Sequence, residues 1–195
     1  MNVTKTQEKL LQAATGLMLS KGYPATTVDE ICEKAGVSKG SFYHAFPSKE
    51  ELGLVLLEWY HQGGREKIFD GPFNEVQDPR QKMLAFVDHM DKLAKELWGN
   101  GCLLANLGME LAETNPRIRT RISKLFKKLE ARLELIFLPA ACGNGNKGHA
   151  TAKELAEQFV VMLEGSIVLA RVNKDWKVVT RGFRNFRNHL EALSS

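Results

Sequence analysis

Cysteine is scarce and widely spaced. The three present, Cys32, Cys102 and Cys142, lie far apart and form no CxxC pair. That spacing suggests neither a zinc knuckle nor a disulfide framework, and a reducing cytoplasm is the simplest setting for it. Long apolar runs are missing too. No stretch approaches the roughly 18 apolar residues of a membrane span, and Lys9 and Gln12 interrupt the N-terminal apolar stripe, so a signal peptide is not expected. The chain contains no GxGxxG, P-loop, GxSxG or HExxH motif and no carboxylate pair placed for acid–base work, so neither an enzyme nor a cofactor is expected. His89 lacks a second histidine at i+4 and the other histidines are scattered, which argues against a metal centre. The excess of positive charge is small, +4. It is compatible with a polyanionic partner without demonstrating one.

What is present is helical periodicity. With 44% hydrophobic and 26% charged residues in 195, the composition is that of an ordinary globular protein able to bury a core. Leu10, Ala14, Leu17 and Met18 form one stripe, which Gly22 ends. Thr27 and Glu30 make a capping box for a second helix that buries Val28, Ile31, Cys32 and Ala35 and stops at Gly36. Ser38 caps a short third helix, and Ser48 with Glu51 opens a fourth that ends near residue 62, before Gly63 and Gly64. Asp78-Pro79 and Asn115-Pro116 each read as a cap followed by proline at the first helical position, and another helix starts near Cys102. Ile118, Ile122, Leu125, Leu129, Leu133 and Ile136 give a long stripe over Pro116 to Leu138, fit for a core or for coiling against a partner. Residues 139–150 read as a loop, followed by helices over about 151–172 and 174–193. The expected fold class is all-α.

The short third helix raises the functional question. Phe42 and Phe46, at i and i+4, point together into a small core and leave Lys39, Gly40, Ser41, Tyr43 and His44 outside. Two helices joined by the sequence AGVS form a helix-turn-helix, whose second member can enter the major groove of double-stranded DNA. Tyr43, Lys49 and Thr27 are placed for phosphates, Lys39, Ser41 and His44 for base edges, and Gly40 allows close backbone approach. The plainer alternative is a surface helical hairpin that binds nothing.

The segment GYPATTVDEICEKAGVSKGSFYHAFPSKEEL, residues 22–52, resembles the DNA-binding domain of the TetR/AcrR class of bacterial regulators. The resemblance implies an all-helical, cytoplasmic homodimer with a DNA-binding domain over residues 1–48 and an effector-binding and dimerisation domain over 49–195, linked by the helix near 49–62. By the same match Thr27, Lys39, Gly40, Ser41, Tyr43, His44 and Lys49 fall where family members touch operator DNA. Cys32 departs from the family, which commonly carries alanine there. The implied function is repression relieved by a small-molecule or electrophile effector whose identity does not follow. The contrasting class is an all-helical ligand-binding protein or enzyme without a DNA-binding role.

Three further expectations concern the second half. Leu155, Phe159, Leu163, Ile167, Phe183, Phe186 and Leu190 form stripes suited to pairing with a second copy, or to packing within one subunit. Phe86, Met90, Leu93, Trp98, Leu104 and Met109 are candidates to line an apolar pocket, although such residues at helical spacing usually form core. Cys102 sits after two glycines at an expected helix N-terminus, where free amides and the helix dipole favour a thiolate. GCLLANLGMEL also resembles a segment of family members that sense electrophiles through the equivalent cysteine. In the sensor reading Cys142 could resolve an oxidised Cys102 if the two approach; the alternative is a small, buried, inert thiol.

Overall fold

The computed structural model describes residues 2–141 and 150–194. Among them every regular element is helical: α1 (Lys5–Lys21), α2 (Val28–Ala35), α3 (Lys39–Ala45), α4 (Lys49–Phe69), a 3-10 turn at Pro72–Glu75, α5 (Pro79–Trp98), α6 (Leu103–Leu111), α7 (Pro116–Ala141), α8 (Ala152–Asn173) and α9 (Lys177–Ser194). The all-α reading is therefore correct. Local chemistry accounts for most helix starts. Asp78 accepts from the Gln81 amide at 2.8 Å and Asn115 from the Ile118 amide at 3.0 Å, each beside a proline that lacks the donor the first turn would leave unused. Reciprocal capping boxes open α1, α2 and α8 at Thr4, Thr27 and Thr151.

Two boundaries differ from expectation. Gly63 and Gly64 do not end α4, which continues to Phe69. Each glycine costs about 1 kcal/mol in a helix, and burial of Ile68 and Phe69 just beyond them offsets that cost. Pro139 lies inside the end of α7, two residues before its terminus at Ala141, where little helix follows it. Most of the loop expected over 139–150, with Cys142, lies outside the described residues.

The chain divides into two compact units, residues 1–63 with 102–125, and 64–101 with 126–195. The unit holding the helix-turn-helix thus extends past residue 48 and takes in α6 and the first part of α7. It buries Leu10, Met18, Ile31, Phe42, Phe46, Leu52 and Leu107. Ion pairs from Arg117 to Glu50 and Glu51, and from Arg121 to Glu58, join α7 to α4 within it. The other unit is organised by aromatic rings. Phe86 meets Phe69, Phe73, Phe137 and Phe159, and Phe159 meets Phe183 and Phe186, with centroids 5.2 to 6.1 Å apart. Edge-on and tilted pairs of this kind contribute about 0.5–1.5 kcal/mol each beyond the area they bury.

Candidate nucleic-acid interface

The turn between α2 and α3 is made by Gly36, whose φ of 65° and ψ of 40° lie in the left-handed region. Its amide closes the helix on the carbonyls of Cys32 and Glu33, and the Val37 amide returns to Cys32 as well. This six-to-one and five-to-two pattern ends a helix and reverses the chain within three residues. Ser38 then caps α3 by accepting from the Ser41 amide at 3.1 Å, and the two serine hydroxyls bond each other at 3.0 Å. Phe42 and Phe46 are fully or almost fully buried, their rings 6.2 Å apart. The orientation of α3 is set by those two rings.

Lys39, Gly40, Tyr43 and His44 are exposed as a result, and Ser41 is half-buried. Tyr43 keeps 55% of its surface in solvent, while its ring packs edge-on against Phe42. More than half of Tyr43 therefore stays accessible while Phe42 steadies its ring. Lys39 is paired with Asp29 of α2 at 2.7 Å, a contact that sequence reading missed. Asp29 raises the affinity of the Lys39 ammonium for its proton. Both side chains are more than half exposed, and such pairs contribute only about 0–1 kcal/mol, so a nucleic acid can displace Asp29 at little cost.

Thr27 is more committed. Its amide and hydroxyl both donate to Glu30 Oε2, at 2.9 and 2.8 Å, while the hydroxyl accepts from the Glu30 amide. Glu30 is also paired with Lys21, and this pair with the Thr27 bonds holds its carboxyl down at a pKa of about 2. A phosphate at the start of α2 therefore meets the remaining first-turn amides more readily than the Thr27 side chain.

Lys49 is turned toward the connection between α1 and α2. Its ammonium donates to the carbonyls of Tyr23 at 3.0 Å and Thr26 at 2.8 Å, and lies 4.3 Å from the centre of the Tyr23 ring. Burial lowers its basicity. Two of its three N–H bonds are used by the connection between α1 and α2, which leaves one for an external acceptor.

The other candidate residues fall elsewhere. Phe86, Met90 and Trp98 are buried and Leu93 is half-buried in one unit, with Phe86 enclosed by four rings; Leu104 is buried in the other unit. Met109 is 73% exposed. Cys102 is the N-cap residue of α6, as its two preceding glycines indicated, but it is 95% buried, since only 5% of it meets solvent. Reactive thiols need access as well as a favourable dipole. All seven residues expected to meet a second copy, from Leu155 to Leu190, are interior to their own subunit. The apolar side chains that α8 leaves in solvent are Val161, Val168, Leu169 and Val172. Among the described residues no cluster of His, Cys, Asp and Glu is placed to hold a metal ion, and no helix is long and apolar enough to cross a membrane.

Comparison with known proteins agrees with this geometry. Residues 10–54 match the tetR family of bacterial regulatory proteins, and residues 79–181 match the C-terminal domain of LmrA/YxaF-like transcriptional regulators. The chain is similar to the helix-turn-helix-type regulator YxaF of Bacillus subtilis, 31% identical over 175 residues covering 87% of each chain. It is also similar to the transcriptional repressor NemR of Escherichia coli, 26% identical over 94% of this chain and 92% of that one. The crystal structure of regulatory protein TetR from Rhodobacter sphaeroides superposes with a TM-score of 0.81 at 28% identity, covering 95% of this chain and 99% of the other. With both halves of the chain matched, the protein belongs to the TetR family of DNA-binding transcriptional regulators and is not an enzyme.

Proposed function

We propose that the protein is a homodimeric repressor that binds a pseudo-palindromic operator and releases it when a small molecule binds. The observation that carries this reading is the outward face of α3. Lys39, Gly40, Tyr43 and His44 stand in solvent together because Phe42 and Phe46 anchor the opposite side. In that arrangement Lys39, Ser41 and His44 face base edges, Tyr43 reaches a phosphate and Gly40 lets the backbone approach. Thr27 caps α2 so that the free first-turn amides meet the DNA backbone, and Lys49 holds the preceding connection. Repression is supported by relatives such as NemR, described as a transcriptional repressor.

A dimer is supported by the exposed stripe of α8. Val161, Val168, Leu169 and Val172 follow i, i+7, i+8 and i+11 on one helical face. Exposed Gly165 lies among them with open space above it. A second copy covering this face removes apolar surface that a monomer would leave wet. Two recognition helices then stand about one DNA turn apart, roughly 34–36 Å. An effector that prefers the unfit spacing must do so by about 5.5 kcal/mol to move the population from 99:1 to 1:99.

Selection of bound fragments from random duplex DNA at about 0.15 M salt tests the reading. A recovered pseudo-palindrome with half-site centres about 10 bp apart is the expected result. A folded dimer that enriches no sequence, with no compound carried through purification, would sink it.

A further inference from the structure

Glu110 of α6 reaches 87 positions back along the chain to accept a hydrogen bond from the Tyr23 amide at 2.7 Å. Both residues belong to the same compact unit. Gly22 stands beside the carboxylate with φ of 86°, and a Cβ there would lie 2.8 Å from Glu110 Oε1. The close approach thus depends on the missing side chain. The neighbouring polar groups of the same connection are also held from outside, since Lys49 of α4 takes the Tyr23 and Thr26 carbonyls. Gly53 of α4 makes room for the Tyr23 ring, where a Cβ would stand 3.3 Å from Cε2. Residues 22–26 are therefore pinned by an acceptor from α6 and a donor from α4, immediately before the Thr27 cap of α2.

We infer that Glu110 is a positioning residue for DNA binding: by holding the Tyr23 amide it fixes where α2 begins, and through α2 the placement of α3. Glu110 acts through the Tyr23 amide and not by touching a base or phosphate. An unrestrained connection would let the start of α2 shift. Base contacts by α3 tolerate little displacement, because hydrogen bonds weaken steeply once distance or angle departs from the optimum. The bond also ties α6 to the recognition motif. Withdrawal of α6 by an ångström or two would break it.

The inference rests on DNA lying against α2 and α3. Two variants of the full-length protein separate positioning from charge. Glu110→Gln keeps an acceptor oxygen and the side-chain length, while Glu110→Ala removes both; each removes the same negative charge. Simple electrostatics would make both bind DNA more tightly and equally. The positioning role makes Glu110→Ala weaker by about tenfold on the duplex selected for the wild type, with Glu110→Gln within about twofold of it. Hydrogen exchange at the Tyr23 amide should speed up at least about tenfold in Glu110→Ala and stay slow in Glu110→Gln. Because residue 110 is exposed on a helix, alanine there should leave helicity and Tm near the wild-type values.

Equal operator affinity for Glu110→Ala and the wild type would overturn the inference, as would equal shifts in both variants. Unchanged exchange at Tyr23 would overturn it without any DNA in the experiment. Global unfolding of Glu110→Ala would do so too, since the role assigned is local. A wild-type protein that retains no duplex counts instead against the placement of DNA at α2 and α3.

Discussion

Glu30 shows how one side chain can tie two helices together. Its carboxylate closes the capping box on Thr27 and pairs with Lys21, so it joins the end of α1 to the start of α2. With a folded-state pKa of about 2 against an ordinary value of 4.5, the unfolded chain takes up its proton more readily than the folded one. The stabilisation is then complete above about pH 4.5 and is lost as pH falls from there toward about 2. Urea unfolding at a series of pH values should show Glu30→Gln less stable than the wild type at neutral pH, with the gap closing across that acid window. A gap that stays constant from neutral pH down to about 2 would contradict the assignment. Lys39 and Asp29 make a looser pair that solvent screens. Its service to the fold is small, which suits the proposed role, in which Lys39 would exchange Asp29 for an anionic DNA partner.

Among the elements, α3 is short and depends on what precedes it. Seven residues do not sustain an isolated helix. Ser38 supplies the cap, the two phenylalanines supply the packing, and Gly36 supplies the reversal that brings α3 against α2. A Cβ at Gly36 would meet nothing within 4 Å, so the cost of Gly36→Ala is conformational alone. Thermal or urea unfolding should register a loss of about 1 kcal/mol. No loss would mean that the turn is free to adopt another geometry. Gly22 differs, because the Glu110 carboxylate occupies the space beside it.

For the whole molecule the proposed dimer raises the question of which apolar face of α8 would meet a second copy. Val168 lies in the middle of the exposed stripe, whereas Leu155 has no exposed surface at all. Val168→Glu would place an unpaired charge in the paired surface, at several kcal/mol, and should raise the dimer dissociation constant at least about a hundredfold while preserving helicity. Leu155→Ala should instead lower stability by about 2–5 kcal/mol and leave the subunit association largely intact. Analytical ultracentrifugation beside thermal unfolding separates the two. If Val168→Glu remains a dimer at nanomolar concentration, the stripe is not the pairing surface.

Local order was legible because it depends on neighbours in sequence. Thr27 with Glu30, Asp78 with Pro79, Asn115 with Pro116 and the glycine at 36 act over three or four residues, and those distances can be read directly from the chain. The i, i+4 spacing of Phe42 and Phe46 likewise determined which face of α3 looks outward. Other features needed the folded chain. Lys49 turns inward because the carbonyls it meets lie 23 and 26 residues earlier, and Glu110 finds an amide 87 positions away. Periodicity also left α8 undecided, since it carries apolar residues on two faces. Only packing against α9 and the Phe86 cluster determined that Leu155, Phe159, Leu163 and Ile167 are interior, and that Val161, Val168, Leu169 and Val172 remain in solvent. A helical period says which residues share a face; what covers that face depends on segments brought near it only by the fold.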